Sequence, residues 1–443
     1  MVSTRTSDVP ERAGSTRFDV WEPGRGSWWW FLRYRPGRAG RLLGRRSVPA
    51  LGCAVAAGWA EAFPLVSDIP NQVFWGTTAA PAYALAGLFC LTLPRRIAYR
   101  AAAAVALLGA VLVPLVVLAL RGLHQSEVMV VERSAHLLLH TGTPYLPDPV
   151  VVTDYNPYLP AMTLFGLPRA ALGSSNPVAL VAGDARIWFA LTFLSCLLVC
   201  WRLLRPSGEG SALLSLAALT ASPLIGLTLA VGGVDLPLIG VCCLAMALAA
   251  RGRAVPAGLV LALACTLKWT AWPALPVAVL LLWRLYGRRP AARATLTAVA
   301  VSTAVILPFV LTQAQALREQ VVRFPLGLTA VHTPAGSPLP GKILAGFGPI
   351  GHTISLTLLC LGGLAVALWL LAYPPTSAVA ACDLLAAGLT VAFMLAPAGR
   401  FGYLALPTVL VLWPRLAAGA LPFHRRPPRS PRPPVTTLTG IQL

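Results

Sequence analysis

Charged residues are scarce in this chain. They make up 11% of its 443 residues, and the mean hydropathy is +0.72. Lys268 and Lys342 are the only two lysines, so nearly all of the 35 basic residues are arginines. Globular soluble domains carry about 25% charged residues, and this composition excludes that class. Several apolar runs exceed about 18 residues, the length that a helix needs to cross hydrocarbon. The sequence therefore predicts an all-α, polytopic transmembrane helical bundle.

Several familiar motifs are also missing. The nine cysteines lie in apolar runs without CxxC or metal-ligand spacing, which argues against disulfides and zinc. There is no GxxxxGK[ST] loop, no GxGxxG after a strand and no HExxH. We therefore expect no resident cofactor and no metal. The long, basic and polar start of the chain predicts no cleavable signal peptide.

The net charge of +20 could indicate a nucleic-acid partner in a soluble protein. Here the arginines stand at the ends of apolar runs, which is a topology signal for cytoplasmic segments. We expect no nucleic-acid partner, contact with membrane lipids, and a multi-pass protein of the cell membrane with both termini in the cytoplasm.

The arginine pattern predicts about twelve membrane spans, and it divides the chain into four parts. These are a basic cytoplasmic arm (1–46), two extra N-terminal spans (47–100), a membrane core (101–417) and a cytoplasmic tail rich in proline and arginine (418–443). Two long loops of the core, 122–185 and 312–352, are expected outside the cytoplasm.

The segment from His124 to Asp184 is the longest stretch of mixed polarity. Five of the 15 acidic residues fall in it: Glu127, Glu132, Asp148, Asp154 and Asp184. Ionisable groups beside a bilayer are costly and usually functional. A solvated loop is the alternative, but the closely spaced aromatic residues and proline favour a shaped surface. These are Tyr145, Tyr155, Pro157 and Tyr158.

Lys268 stands between two short apolar runs, 255–267 and 271–283. Each run is about 13 residues, or roughly 20 Å of helix, shorter than the roughly 30 Å hydrocarbon core. The ammonium could simply reach towards water, or it could form a structural ion pair with Asp235 or another outer acid. It could also hold a phosphate near the lipid surface, for which a compact cation is suited.

Four other residues are candidates for the functional site. Each of them also has an explanation that involves no substrate. Asp154 opens a rigid aromatic segment, and Asp235 follows two glycines at a helix start; either carboxylate could only be a cap. Arg400 lies between two spans and could pair with a phosphate or with a loop acid. His332 is similarly placed, although a lone loop histidine is usually solvated.

The order of these motifs resembles a known family. The chain has a G-x-x-P-Y segment, a Tyr-x-Pro-Tyr segment, a Gly-Gly-Val-Asp and a lysine followed by proline. The residues are Gly142, Pro144, Tyr145; Tyr155, Pro157, Tyr158; Gly232 to Asp235; and Lys268 with Pro273. Over roughly 101–416 this resembles the GT-C class of integral-membrane glycosyltransferases. Within that class it resembles glycosyltransferase family 87, the polyprenol-phosphate-mannose-dependent mannosyltransferases of actinobacteria.

The resemblance implies an extracytoplasmic active site, a polyprenyl-phosphate sugar donor, a lipid or glycan acceptor and a catalytic acid in the first outer loop. Glu127 stands where the family has an Asp and is the first candidate for the general base; Asp154 is the second. Lys268 and Arg400 would bind the donor phosphate. The other predicted substrate-binding residues are Tyr145, Tyr158, Asp235 and His332.

Two other functions remain open from the sequence. A lipid or small-molecule transporter or flippase would need mid-membrane acids or broken helices and inverted repeats. Only Asp383 and Glu61 fall within predicted spans, and no repeat is visible. A non-catalytic protein with a GT-C-like fold is the third possibility.

Overall fold

The fold was obtained as a computed structural model, which describes residues 45–205 and 211–418. Within these residues the secondary structure is helical, apart from one isolated bridge between Gly336 and Gly399. The all-α prediction is confirmed. The predicted basic arm and the predicted tail lie outside the described residues, except for Arg45, Arg46 and Ala418.

Seventeen helices are numbered here along the described chain. They are α1 (Ser47–Val66), α2 (Pro70–Thr92), α3 (Arg95–Leu120), α4 (Ser126–Thr141), α5 (Leu167–Leu172), α6 (Pro177–Gly183), α7 (Ala185–Leu204), α8 (Ala212–Thr220), α9 (Pro223–Val231), α10 (Leu236–Ala250), α11 (Ala254–Leu267), α12 (Ala274–Tyr286), α13 (Arg288–Arg323), α14 (Pro340–Ala345), α15 (Pro349–Ala372), α16 (Ala378–Leu395) and α17 (Ala405–Ala417). Short 3₁₀ turns lie between some of them: Val152–Asp154, Pro160–Gly166, Trp269–Ala271 and Phe401–Leu404.

Local sequence accounts for many helix boundaries. The side chains of Asn176, Asp184 and Ser377 each accept a hydrogen bond from a backbone N–H in the first turn of the helix that follows, as N-caps do. Gly142 ends α4 at φ +75°, a conformation in which glycine has no Cβ penalty. Alanine and leucine, which favour helix, recur throughout the helices.

Seven helices are long and apolar enough to cross a membrane: α1, α2, α3, α7, α13, α15 and α16. The pair α8 and α9, bent by 70° at its break, makes an eighth if it counts as one span. Four further helices, α10, α11, α12 and α17, have 13 to 15 residues. At roughly 20 Å they are shorter than a bilayer core. The chain is a membrane protein, but the count of about twelve spans is not confirmed.

The helices run back and forth between two ends of the molecule. At one end, the Arg186 guanidinium donates to the carbonyls of Leu123 (3.1 Å) and Ala230 (2.6 Å), joining the start of α7 to the ends of α3 and α9. At the other end, the Tyr286 hydroxyl donates to the Ala250 carbonyl at 2.7 Å. The same end holds Arg251, whose Nε donates to Leu203 O at 2.5 Å.

The segment 122–185 is more ordered than the predicted outer loop. It contains α4, α5, α6 and two 3₁₀ turns. Val128, Val131 and Ala135 recur at helical spacing along α4 and are buried, whereas the charges between them gave the segment its loop-like composition. The range of α13 reaches Arg323 in the second predicted loop, but its backbone is non-helical at Gln313 (φ −143°, ψ 41°), so two helices meet at a kink there. Both predicted loops therefore contain helices.

The helix α10 is the centre of the core. All of its residues except Leu244 are buried, and it packs against α7, α11, α12 and α17. A helix that is apolar on every side is stable only when it is surrounded. Because α10 begins directly after Asp235, it carries that carboxylate into the protein at the end where α4 lies.

Candidate active site

A cavity of about 380 Å³ opens at the end of the molecule that contains α4. Its lining includes three charged side chains, Glu127, Lys268 and Arg400, and the charges of Lys268 and Arg400 act on Glu127. It also includes apolar side chains of the 269–273 segment, α15 and α16, which we call the apolar wall. These include Trp269, Trp272, Leu359, Leu389 and Phe393. The cavity is therefore lined both by a charged cluster and by apolar side chains.

Glu127 lies in the first turn of α4. A hydrogen bond from Gln125 N to Val231 O (2.8 Å) ties the start of this helix to the end of α9. The Glu127 Oε2 atom accepts a hydrogen bond from Arg400 Nη1 at 2.8 Å. Burial raises the pKa of the Glu127 carboxyl, and the attraction of Arg400 opposes that rise. Desolvation of this kind brings a carboxylate towards the range of a general base.

Lys268 follows the end of α11, in an extended conformation. Its Nζ donates to Asp235 Oδ1 at 2.7 Å. The same atom lies 4.7 Å from the centroid of the Tyr403 ring and 5.8 Å from that of Tyr158, within reach of a cation–π attraction. Burial is the largest single influence and works against the ammonium, but Asp235, Tyr403 and Glu127 together outweigh it and the pKa of Lys268 is raised. Lys268 is thus held as a cation.

Arg400 is positioned by a neighbouring strand-like segment. Gly399 N donates to Ala335 O and Ser337 N donates to Gly399 O, both at 3.0 Å. Phe401 N donates to the Ser337 hydroxyl at 3.2 Å. These bonds hold the loop on both sides of Arg400, so the direction of its guanidinium depends on residues 335–337.

The predicted site residues fall into two groups. Glu127, Tyr158, Lys268 and Arg400 line the cavity. Asp235 is paired with Lys268 but is not among the lining residues.

The structure places the other three elsewhere. The buried Tyr145 hydroxyl donates to the Tyr158 carbonyl at 2.9 Å, which supports the segment that carries Tyr158. His332 is exposed and is not part of the cavity lining, although Thr333 beside it is.

Asp154 also lies outside the cavity lining. Its Oδ2 accepts from the backbone N–H groups of Val150 (3.1 Å) and Val151 (3.0 Å), and its Oδ1 pairs with Arg133 at 3.4 Å. These backbone donors, with Arg133, lower the pKa of Asp154. This is the geometry of the cap that the sequence left open as an alternative.

Two further acids of the segment have structural partners. Glu132 pairs with Arg169 at 3.2 Å and accepts from Ala185 N at 3.0 Å. Asp184 holds the fully buried Arg186 through two hydrogen bonds of 2.8 and 2.6 Å. Among the paired acids of this segment, Glu127 alone faces the cavity.

Sequence reasoning did not assign Tyr403, Trp269, Trp272 or Gly232 to the site. The two tryptophans lie one and four residues after Lys268, and this proximity in the sequence could have assigned them to the site. Tyr403 is three residues after Arg400, in the turn that precedes α17. Gly232 lies against Glu127, and no sequence pattern indicates that contact.

Part of the chain matches a known protein family. A family model of glycosyltransferase family 87 matches residues 156–397, more than half of the chain. Tyr158 and Lys268 lie within the matched part, whereas Glu127 lies well before it and Arg400 shortly after it. Searches of curated proteins and of solved structures gave no match. On the extent of the family match, the chain belongs to glycosyltransferase family 87.

Proposed function

We propose that this membrane glycosyltransferase moves a sugar, mannose on the family resemblance, from a polyprenyl phosphate to a hydroxyl of a lipid or glycan acceptor. The observation that carries the proposal is the meeting of three features in one cavity. These are the Glu127 carboxylate, two fixed cations and an apolar wall.

A polyprenyl-phosphate sugar matches both kinds of side chain that line the cavity. Its phosphate carries negative charge, for which Lys268 and Arg400 provide an ammonium and a guanidinium. Its hydrocarbon tail fits the wall formed by α15 and α16, both long enough to span a membrane. Trp272, at the cavity rim, is 53% exposed, and an indole ring is favoured at the boundary between lipid and water.

The reaction would be a single displacement at the anomeric carbon. The acceptor hydroxyl gives its proton to Glu127 as its oxygen forms a bond to that carbon. The bond from the anomeric carbon to the phosphate oxygen breaks, and its electron pair leaves on the polyprenyl phosphate. Lys268 and Arg400 stabilise the charge that grows there. General-base catalysis of this kind contributes typically 10²–10⁴ in rate.

The distribution of arginine supports an assignment of the cavity to one side of the membrane. The cavity lies at the end opposite Arg251 and the Gly287 turn, and residues 284–293 at that opposite end contain four arginines. Because arginine is enriched in cytoplasmic segments, the cavity would face away from the cytoplasm at the plasma membrane.

The proposal is tested with membranes that contain the protein and a radiolabelled polyprenyl-phosphate mannose. Transfer of label to lipid or glycan should depend on the protein. Glu127→Gln keeps the size of the side chain and removes its basicity, so turnover should fall by about 10²–10⁴ with little change in donor binding. Asp154→Asn is the matched control, since that carboxylate lies outside the cavity. Full turnover in Glu127→Gln, together with loss in Asp154→Asn, would move the base to Asp154.

The broken helix formed by α8 and α9 is a feature that a transporter would share. The break, at Ala221 and Ser222, contains no ionisable residue. The Ala221 carbonyl freed there accepts from the Tyr83 hydroxyl at 2.7 Å. Its polar groups thus serve helix packing, which favours the glycosyltransferase. Donor translocation without sugar transfer in the same membranes would support the transporter instead.

A further inference from the structure

Gly232 is buried directly against the carboxylate of Glu127. It follows the last residue of α9, in the turn that leads to Asp235. A Cβ added at Gly232 would overlap Glu127 Oε1 and lie 3.1 Å from Glu127 Cδ. The space that a side chain would need at position 232 is therefore already filled by the carboxylate.

The two oxygens of this carboxylate have different surroundings. Oε2 accepts from Arg400. Oε1 lies over Gly232 and receives no hydrogen bond from residues 45–205 and 211–418. Oε1 is thus the oxygen with a lone pair open to an incoming hydroxyl proton, and Gly232 is the surface on which it rests.

The backbones on both sides of this contact are fixed. Gln125 N donates to Val231 O at 2.8 Å, so the start of α4 cannot move easily away from the end of α9. An added methyl group at position 232 would have to displace the more flexible partner, which is the Glu127 side chain. Such a displacement would also disturb the bond to Arg400.

Gly233, the next residue, is explained by its backbone conformation. Gly233 has φ +89°, a conformation that side chains rarely adopt. Gly232 has φ −151° and ψ −89° and is not in the left-handed region. At position 232 the Glu127 carboxylate occupies the space that a side chain would take.

We infer that Gly232 is a positioning residue that sets where the Glu127 carboxylate stands for proton transfer, an inference that rests on the proposed role of Glu127 as base. Its absent side chain leaves room for a Glu at position 127. A base displaced by about 1 Å costs on the order of 10²-fold in rate.

Size compensation tests this assignment. Gly232→Ala should lower kcat by about 10²-fold while the KM for polyprenyl-phosphate mannose changes little. Glu127→Asp withdraws the carboxylate by about 1.5 Å, one carbon–carbon bond, and should also lower kcat. In the double variant the methyl group takes the space left by the shorter acid. Its kcat should exceed that of Gly232→Ala and be at least that of Glu127→Asp. Gly363→Ala, where a Cβ meets nothing within 4 Å, is the matched control and should turn over as the unchanged protein does.

The outcomes separate this inference from the proposed function. Unchanged kcat in Gly232→Ala, with Glu127→Gln inactive, would overturn the role of Gly232 and leave the base in place. If Gly232→Ala does not accumulate in the membrane, the double variant is compared with Glu127→Asp, and a lower kcat in the double variant overturns the role. Full activity in Glu127→Gln would instead overturn the proposed function.

Discussion

Glu127 and Asp154 are acids of one sequence segment, and their surroundings give them different chemistry. Asp154 accepts two backbone hydrogen bonds, which stabilise its charged form and lower its pKa. Burial raises the pKa of Glu127, and only Arg400 donates to it among the described residues. A carboxylate that is stabilised as an anion is a poor proton acceptor, so the structure favours Glu127 as the base.

The raised pKa of Glu127 has a consequence for the pH dependence of transfer. The base must be ionised, so kcat/KM should fall as the pH drops through its pKa, at a pH above that of an ordinary glutamate. Arg400 favours the ionised form, and Arg400→Gln should therefore move this acid limb to still higher pH. A pH profile of both proteins measures the shift, whatever the absolute rates. An acid limb that stays in place would show that another group controls it.

Because Lys268 forms an ion pair with Asp235, substitution of Lys268 should affect the stability of the protein as well as donor binding. Lys268→Met leaves the largely buried Asp235 carboxylate without its cation, and breaking a buried pair costs about 3–5 kcal/mol. We therefore expect reduced thermal stability together with weaker donor binding. Adding Asp235→Asn should restore the stability but leave donor binding weak, because the phosphate partner is still missing. Recovery of donor affinity in the double variant would assign Lys268 a structural role alone. Arg at this position should rescue only partly, since its planar fork differs from a point charge.

At the scale of helices, close backbone contacts place the site residues. Helix α11 carries Lys268 at its end and packs along α13. At Gly258 an added Cβ would lie 2.6 Å from Ala294 O and 2.8 Å from the Thr297 Cβ. Small residues at such positions let membrane helices approach closely. The packing of α11 against α13 in turn sets the position of Lys268 in the cavity.

Gly258→Leu should separate these two helices. Overpacking of this kind costs about 1–3 kcal/mol, which a thermal-unfolding measurement in detergent would detect, and transfer activity should fall as Lys268 moves. Gly363→Leu, on a helix surface with open space around the glycine, should change neither property. Equal stability of the two variants would mean that the contact between α11 and α13 can relax without cost.

At the scale of the whole molecule, the cavity and the arginine-rich turns occupy opposite ends. The chain returns to the cavity end after α3, α9, α11 and α13, and to the other end after α7, α10 and α12. This arrangement divides the surface into two sides that a membrane would separate.

Accessibility of single cysteines tests which side is outside. Ser174 is exposed between α5 and α6. In the Ser174→Cys variant, the introduced thiol should react with an impermeant reagent in intact cells. Arg289→Cys, exposed at the opposite end, should react only after lysis, and the unchanged protein gives the background of the native cysteines. The reverse pattern would place the cavity in the cytoplasm.

The sequence by itself determined the properties that depend on local composition. Apolar runs predict membrane helices because partition into lipid follows the hydropathy of each segment, and short motifs were enough to suggest the family, which the match to residues 156–397 confirmed. It did not determine the span count, because α10, α11, α12 and α17 are as apolar as membrane spans but shorter. It also took 122–185 for a loop, since the charges of α4 mask its helical spacing.

Only the tertiary structure decided which charges meet. Glu127 and Arg400 are separated by 273 positions in the sequence, and Lys268 and Asp235 by 33. Over such separations, the periodicity of the sequence does not indicate which side chains are in contact. Whether an acid is a cap, half of a structural ion pair or an open base depends on the donors that the fold brings to it. The same holds for Gly232, whose missing side chain acquires a meaning only when α4 brings the Glu127 carboxylate against it, because exclusion of one group by another requires that both occupy the same space.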